Sequence, residues 1–417
     1  MSASSLPNAS AQTELSGARL TPAWAKVAPG ADCTLHLAGD VDPSHALHLF
    51  ADDDGVVSFA ADSQASSDAA QAVLDCNEAG VAHPYAVDFR DAAIRTRPAI
   101  APRADAVIRP ALSGDPRLVT QAELVKGGYP LRPDPDRAPA MYATWLRAVL
   151  TPTELVGRGF VARAGVDTHY GNGASGTLME ESPWGGAELN ARTSYSVVVA
   201  QWTLPSSIPS VSQGGVYTAP IWAGLDGDTD HGGSPDVIQA GTTFQVIGIK
   251  LGKSSLVASY GGVFGWAEYY SPTGTAAQTS PYTAGITISI GDTIFVEAYP
   301  CDSNGNANMH GGYAFFEVED VTTGKATTTT AGNFIKAPDN QFVGGTAEFI
   351  IEKEVNGNLL APYGTINIAG LAGGTDGNLH DFGTDPVLID DSHSFNQFES
   401  ATVTGAATLQ MTWLAPQ

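Results

Sequence analysis

The chain has 417 residues and a formal net charge of −24, from 44 acidic and 20 basic side chains. A negative surplus of this size argues against nucleic acid and anionic membranes as partners, and no apolar run approaches the roughly 18 residues of a membrane span. The length predicts two or three domains, and abundant glycine with little helical periodicity predicts an all-β protein with many turns.

The N-terminal part divides into three segments by composition. Residues 1–27 are small and polar, so we predict that they are disordered. Residues 28–95 hold short apolar stretches such as "HALHLFA" and "GVVSFAAD" between turns, which predict a small β-rich accessory domain or pro-domain. Residues 96–165 are rich in Pro and Arg and predict an extended arm.

The arm contains the clearest helical pattern of the chain, "PAMYATWLRAVLTP". Pro139 suits the first turn of a helix and Pro152 stops it. Met141, Trp145 and Val149 recur at a spacing that places them on one helical face. We therefore predict one helix in the arm.

The last segment, residues 166–417, alternates between predicted strands and turns rich in Gly, Asn, Asp and Pro. About ten strands over roughly 240 residues predict a two-sheet antiparallel β-sandwich of the concanavalin-like or jelly-roll type. The stretches that carry this prediction include "SYSVVVAQWTLP", "APIWAGLDG", "DVIQAGTTFQVIGI", "GWAEYY", "ITISIGDTIFVEAYP", "YAFFEVEDVTTGK", "AEFIIEK", "YGTINIAG" and "ATLQMTWL".

Charge is distributed unevenly between the two halves. Residues 1–165 hold 14 basic and 19 acidic side chains, whereas residues 166–417 hold 6 and 25. Because bases are so few, protonating the carboxylates of the second part leaves little positive charge, and this limits self-repulsion in acid. Acid tolerance is one explanation of the composition, and solubility alone is the other.

Three cysteines fit neither a disulfide scaffold nor a zinc cluster. Cys33 and Cys76 are candidates for one disulfide, which leaves Cys301 single. The N-terminal stretch has no basic-then-apolar signal peptide. The chain is therefore intracellular, exported by another route, or lacks a signal that was removed.

Metal chemistry has little support in the sequence. The chain has no HExxH motif, and its nine histidines are scattered. Asp226, Asp228 and Asp230 in "DGDTDHGG" alternate as in calcium loops, but the later bidentate Glu is missing at the expected offset. We therefore interpret this stretch as an acidic turn and predict no metal and no cofactor.

Two carboxylates share one face of the predicted strand "AEFIIE", because Glu348 and Glu352 are four residues apart. At roughly 3.3 Å per residue they lie about 13 Å from one another. Glycoside hydrolases need two carboxyl groups about 5–10 Å apart. The spacing is slightly too long, and a glycoside hydrolase remains a rival hypothesis.

An ordered series of motifs resembles the glutamic peptidases, or eqolisins, a family of acid-acting endopeptidases. Over residues 180–370 the motifs are "SPWGGA", "QWTLP", "IWAGLDGD", "VIQAG", "WAEYYSP", "AEFIIE" and "YGTINI". The resemblance implies a β-sandwich, metal-independent cleavage of protein or peptide substrates, and a Gln–Glu dyad. Matched residue by residue, the dyad is Gln239 and Glu352, and Glu348 is a neighbour in the cleft.

The resemblance also implies a set of residues that bind substrate or support the dyad: Trp184, Trp222, Asp226, Trp266 and Glu268. The aromatic members are equally compatible with simple packing. Two acidic positions of the family are replaced here by Thr243 and Phe264, so we expect a less acidic cleft.

Peptide hydrolysis needs an activated water and a stabilised oxyanion. A carboxylate can act as general base and then general acid, and a neutral amide can donate to the oxyanion. We therefore expect Glu352 to transfer the proton and Gln239 to supply the electrostatic stabilisation. A non-catalytic β-sandwich that binds protein or glycan in the same cleft is the main alternative.

Enzymes of the resembled family carry an N-terminal prosegment that is basic relative to the catalytic domain. The resemblance therefore implies that the arm at residues 96–165 inhibits the acidic domain at neutral pH and is released in acid. A permanent scaffold is the alternative. The resemblance also implies a secreted, extracellular protein.

Overall fold

A computed structural model describes most of the chain. The described residues are 19–40, 42–66, 69–99, 106–136, 138–156, 159–162, 184–190, 193–250, 257–272, 282–329, 333–337, 341–353, 359–385, 387–391 and 398–414. Antiparallel sheets dominate them, which confirms the predicted all-β class. No helix in these ranges is both long enough and apolar enough to cross a membrane.

The N-terminal region forms short strands and two short helices. The strands are β1 (Arg19–Lys26), β2 (Asp32–Leu37), β3 (Leu47–Phe50), β4 (Val56–Asp62), β5 (Gln71–Glu78), β6 (Val81–Asp88), β7 (Val107–Arg109), β8 (Thr153–Leu155) and β9 (Phe160–Ala162). The helices are α1 (Gln121–Lys126) and α2 (Pro139–Leu150). Single 3-10 turns cover Pro43–His45, Ala92–Arg95 and Pro116–Leu118.

The C-terminal region forms the longer strands. They are β10 (Trp184–Leu189), β11 (Tyr195–Thr203), β12 (Ile208–Pro209), β13 (Gly215–Leu225), β14 (Val237–Lys250), β15 (Val257–Tyr270), β16 (Tyr282–Ala284), β17 (Thr293–Cys301), β18 (Tyr313–Asp320), β19 (Lys325–Thr328), β20 (Ile335–Lys336), β21 (Ala347–Glu352), β22 (Leu359–Leu360), β23 (Thr365–Gly374), β24 (Leu379–His380), β25 (Val387–Asp391), β26 (Glu399–Gly405) and β27 (Thr408–Trp413).

Two large sheets contain strands from both regions. The first sheet runs β12-β1-β4-β15-β14-β13-β21-β10-β25 through antiparallel neighbours. The second sheet runs β26-β27-β23-β11-β17-β18-β19-β8-β7, and only its β19–β8 pair is parallel. The predicted domain boundaries are therefore crossed, since β1 and β4 complete the first sheet and β7 and β8 complete the second.

The predicted disorder of residues 1–27 is wrong for β1. Leu20 and Ala23 are fully buried, and the strand pairs with β4 from Leu20↔Asp62 to Lys26↔Val56. Non-local pairing and burial order this segment, although its composition is polar. Residues 1–18 lie outside the described part of the chain.

The main core lies between the two large sheets. Because side chains alternate along a strand, one face of each sheet is apolar and points inward. Ile221, Phe244 and Phe349 from the first sheet pack in one cluster with Trp202 and Phe316 from the second. This arrangement is the predicted two-sheet β-sandwich.

A four-stranded accessory sheet, in the order β3-β2-β5-β6, packs against the first sheet. Leu47 and Leu49 of the accessory sheet share an apolar cluster with Ile247 and Tyr260, whose side chains lie on the face of the first sheet that points away from the main core. We call this face of the first sheet the outer face. The accessory sheet therefore covers one end of the outer face.

The three cysteines behave as the sequence suggested. Cys33 on β2 and Cys76 on β5 are paired in register and joined by a disulfide. Cys301 is a buried free thiol. The disulfide therefore links neighbouring strands within the accessory sheet.

Helix α2 follows the prediction, and its predicted face, Met141, Trp145 and Val149, is buried. The prediction of one helix is incomplete, because α1 precedes it. Thr120 and Glu123 form a capping box at α1, in which each backbone N–H donates to the other's side chain at 2.9 and 3.2 Å. This local signal stabilises a helix of only six residues.

The described part of the arm packs on the face of the second sheet that points away from the main core. Leu131 and Met141 join an apolar cluster with Val199, Phe295 and Leu371 of that sheet. The arm therefore lies on the opposite side of the sandwich from the outer face of the first sheet.

Buried ion pairs fix the same segment. Arg109 donates to Glu317 at 2.6 Å and to Glu319 at 2.5 Å, and all three side chains are buried. Arg97 donates to Asp292 at 3.1 Å. Removing one partner would strand a buried charge, so these contacts hold the N-terminal region to the sandwich.

Several carboxyl groups of the second sheet are buried more deeply than their charge favours. Burial, opposed by the charge of Arg109, raises the pKa of Glu319 to about 8. Burial and repulsion from Asp292 raise the pKa of Asp320 to about 7. Burial also raises the pKa of Glu297 well above its ordinary value. The folded chain therefore binds more protons than the unfolded chain above pH 4.5.

We expect the melting temperature to fall by at least about 5 °C between pH 4.5 and pH 8, since stability is lost as pH rises through these raised pKa values. Differential scanning calorimetry of the full chain measures this. Glu297→Gln keeps the shape of the side chain and removes its ionisation, so this variant should show a smaller fall. A melting temperature that is flat or rises over this range would contradict the assignment.

Candidate active site

The outer face of the first sheet carries the predicted site residues on β14. Ile238 and Ala240 point into the core, so Val237, Gln239 and Gly241 between and beside them point outward. The alternating sequence of "VIQAG" thus decides the orientation of the amide. The same rule places the corresponding side chains of β13, β15 and β21 on this face.

Gln239 lies in a row of five paired residues that crosses the sheet, and three of the five are glutamates. The register pairs Gln239 with Glu268 on one side and Gly224 on the other. Gly224 in turn pairs with Glu348, which pairs with Glu188. Paired residues of antiparallel strands share a face. We call these five residues the acidic row.

Gln239 is held by its neighbour in the acidic row. Its Nε2 donates a hydrogen bond to the Oε2 atom of Glu268 at 3.0 Å. Gln239 is 6% exposed and Glu268 is fully buried. Glu268, which the sequence suggested as a supporting or substrate-binding residue, therefore fixes the orientation of the amide directly.

Glu352 is held by a different contact. Trp222 donates from Nε1 to the Oε2 atom of Glu352 at 3.0 Å, and Glu352 is 1% exposed. Trp184 is paired with Glu352 in register, and its ring meets that of Trp222 edge-on at 5.1 Å. Two of the predicted tryptophans therefore surround the predicted base.

The third predicted tryptophan joins them in one apolar cluster. Trp184, Trp222 and Trp266 are buried together with Val237 and Ile350 on the outer face. Tryptophan indoles bury a large apolar area and keep an N–H that can orient a polar group. The cluster thus forms the apolar surroundings in which the polar side chains are set.

Glycines at two positions leave room for this arrangement. A Cβ atom at Gly241 would lie 2.2 Å from the carbonyl oxygen of Ile221 and 2.7 Å from the Cβ of Trp222. A Cβ atom at Gly224 would lie 2.9 Å from the Trp222 ring and 3.2 Å from the Cβ of Gln239. A side chain at either of these glycines of "VIQAG" and "IWAG" would collide with Trp222, so both positions leave room for its indole.

The predicted dyad residues share the outer face but not a row. Gln239 on β14 and Glu352 on β21 flank the same strand, β13. Glu352 is four residues beyond Glu348, or about 13 Å along the strand. Of the two glutamates on β21, Glu348, which we expected to be a neighbour in the cleft, is the one that lies in the row of Gln239.

Asp226 organises the loop before β21. It has a left-handed backbone with φ of 63°, and its carboxylate accepts from the N–H groups of Val343, Gly344 and Gly345 at 2.6–2.9 Å and from Ser234 at 2.9 Å. Burial raises its pKa, and these bonds oppose the rise. Asp226 thus positions the strand that carries Glu348 and Glu352.

One glutamate of the acidic row, Glu188, was not predicted from the sequence. It is 3% exposed and directly opposite Glu348. Burial and the charge of Glu188 raise the pKa of Glu348 well above its ordinary value. The alternation of "GGAEL" was the available signal, but only the pairing of β10 with β21 brings the two carboxyls together.

Thr243 and Phe264, which replace acidic positions of the resembled family, are paired in register on β14 and β15. By the same alternation both point to the outer face, and neither carries a charge.

Comparison with known proteins identifies the chain. The sequence model of the Peptidase A4 family matches residues 182–413, which is more than half of the sequence. The chain belongs to the Peptidase A4 family. It is therefore a peptidase of the glutamic type, and the match favours this activity over the glycan-binding and glycosidase alternatives.

Among solved structures, aspergilloglutamic peptidase from Aspergillus niger is similar to this member of the Peptidase A4 family. The two chains are 22% identical, and the similarity covers 48% of this chain and 99% of the other with a TM-score of 0.34. No curated protein sequence matches the chain.

We expect Asp226→Ala to destabilise the fold by about 3 kcal/mol or more, because it leaves buried backbone N–H groups without an acceptor. Urea unfolding at pH 6 measures the loss. Asp230→Ala is the matched control, since Asp230 is exposed in the same loop. Equal midpoints for the two variants would refute the proposed anchoring role.

Proposed function

We propose that this peptidase cleaves internal peptide bonds in acid, with Glu352 as general base and Gln239 as the donor to the oxyanion. The observation that carries the proposal is that both side chains lie on the outer face of one sheet, on the two strands that flank β13. Each is oriented by a buried hydrogen bond, Gln239 to Glu268 and Trp222 to Glu352.

The proposed proton transfers use one carboxylate. Glu352 takes a proton from water as the water attacks the peptide carbonyl, and it then gives this proton to the departing amine. The bond from Trp222 keeps one carboxylate oxygen in place. No metal ion takes part in these steps.

The amide of Gln239 supplies electrostatic stabilisation. Its NH₂ group has two donors, of which one bonds Glu268. We assign the second donor to the oxyanion of the tetrahedral intermediate. A preoriented donor in a buried site is worth far more than the same donor in water.

Glu348 is the competing candidate for the base, since it shares the row of Gln239. Burial and Glu188 raise its pKa, so it is protonated in acid and cannot accept the proton of water. We propose that it serves instead as a neutral hydrogen-bonding group beside Gln239. Glu352 is therefore the preferred base.

The experiment is digestion of an unfolded protein at about pH 3–5. Glu352→Gln should lower kcat/KM by at least about 10³, and Gln239→Ala by about 10² to 10³. Glu348→Gln should stay within about tenfold of the wild type, because an amide replaces a neutral carboxyl group. Near-UV circular dichroism shows whether each variant is folded.

Three outcomes would change the proposal. Activity that survives in both Glu352→Gln and Gln239→Ala refutes the dyad. Loss in Glu348→Gln with activity retained in Glu352→Gln moves the base to Glu348. Absence of cleavage by the wild type, even after acid treatment, favours a binding module on the same face.

We also propose that the full chain is latent at neutral pH. Gln239 and Glu352 are 6% and 1% exposed, so a polypeptide cannot reach them without a rearrangement. Ion pairs such as Arg97–Asp292 and Arg109–Glu317 hold the N-terminal region to the sandwich. The described part of the arm lies on the far side of the sandwich, so we attribute the latency to the burial of the dyad and not to the arm covering it. Because β1 and β4 complete the first sheet, we expect these strands to stay attached after activation.

Acid incubation followed by gel electrophoresis and N-terminal sequencing tests the latency. We expect the chain to be cleaved as activity appears, and the fragment with β1 and β4 to copurify with the rest. Size-exclusion chromatography shows whether it does. Full activity of an uncleaved chain would eliminate the zymogen hypothesis, and loss of the fragment would eliminate its structural role.

Secretion is the third part of the proposal. Its support is the disulfide between Cys33 and Cys76, because such bonds persist in oxidising compartments. An acid-acting peptidase also needs a compartment of low pH. Detection of the chain in culture medium, with the cysteines oxidised, is the expected result.

A further inference from the structure

A second cluster of chemically active side chains lies at the β10 end of the acidic row. Glu188 on β10, and Asp228 and His231 in the loop after β13, each offer one ligand atom, and these atoms all lie within 4.8 Å of one another. Glu188 and Asp228 are buried, and His231 is half-buried. Two chain segments far apart in sequence therefore converge here.

The loop orients its ligands before anything binds. The Oδ1 atom of Asp228 accepts from the N–H groups of Asp230 at 2.8 Å and of His231 at 3.2 Å. Its Oδ2 atom lies 2.5 Å from Nδ1 of His231. The carboxylate and the imidazole are thus fixed beside each other.

A second feature of this region, separate from the three ligand atoms, is the buried carboxyl group of Glu348. Glu348 is directly opposite Glu188 in the register of β10 and β21. Glu348 is fully buried, and within the described residues neither carboxyl oxygen makes a hydrogen bond. The hydroxyl of Thr346 acts on Glu348 as a weak donor and lowers its pKa, but it does not reach full hydrogen-bond geometry. Because Glu348 and Glu188 are opposite each other in register, their side chains share the outer face at this end of the acidic row.

The buried carboxyl group of Glu348 is stable only in a few forms. A buried carboxylate without a partner is costly, and proteins resolve the cost by protonation, by a cationic partner or by a metal ion. Two carboxylates with one imidazole form a donor set that suits zinc or manganese, whereas calcium favours oxygen ligands alone. The cluster has the composition of a transition-metal site.

We propose that Glu188, Asp228 and His231 bind one divalent transition-metal ion at neutral pH, with the buried Glu348 as a neighbouring carboxyl group outside the ligand set. This site differs from the calcium-like pattern weighed in the sequence, because Asp226 anchors a loop and Asp230 is exposed. The proposal concerns binding and does not depend on the peptidase mechanism.

Titration of the chelator-treated full chain at pH 7 with zinc chloride and with manganese chloride tests the proposal. Isothermal calorimetry should show one equivalent bound, and calcium chloride should bind at least about tenfold more weakly. His231→Gln should weaken binding of the preferred metal by at least about tenfold. His310→Gln, a change at an exposed histidine elsewhere, should leave it unchanged.

Two results would overturn the proposal. One is absence of binding at one equivalent in the wild type. The other is unchanged affinity in His231→Gln, which would place the ion elsewhere on the acidic surface. The side chain of His231 is 33% exposed, so this variant decides the matter even if Glu188→Gln fails to fold.

Discussion

The pairing of β13 between β14 and β21 is the constraint on which the site depends. Because residues in register share a face, this pairing places Gln239 on the same face as Glu348 and Glu352, although about a hundred residues separate β14 from β21. Gly224 and Gly241 leave room for the side chain of Trp222 on this face. A slip of one residue would turn every polar side chain of β21 into the core.

Local sequence predicts most individual strands and helix α2, but it does not predict the short helix α1 or the order of the strands in the sheets. Alternating apolar stretches such as "VIQAGTTFQVIGI" predict the strands, and the pattern of Met141, Trp145 and Val149 predicts α2. The short helix α1 was missed because a capping box stabilises it with little periodicity. The insertion of β1 and β4 into the first sheet was missed because strand order is non-local and leaves no mark on either segment alone.

The candidate site shows the same division. The motifs direct attention to Gln239 and Glu352, and alternation along each strand gives their common face. Strand register decides whether Glu348 or Glu352 lies in the row of Gln239. The positions of Glu348 and Glu188 in that row therefore cannot be inferred from any single strand. Alternating charged residues on a strand usually indicate a solvent-exposed face. In this protein the acids of the outer face are buried instead, and local sequence does not reveal that.

The central claim, that Glu352 and not Glu348 accepts the proton of water, is tested most directly by the pH dependence of kcat/KM. The acidic limb of this profile reports the ionisation of the base in the free enzyme. The account predicts that Glu348→Gln keeps the acidic limb of the wild type with an unchanged midpoint. Disappearance of that limb in Glu348→Gln, with activity remaining, would contradict the account and make Glu348 the base.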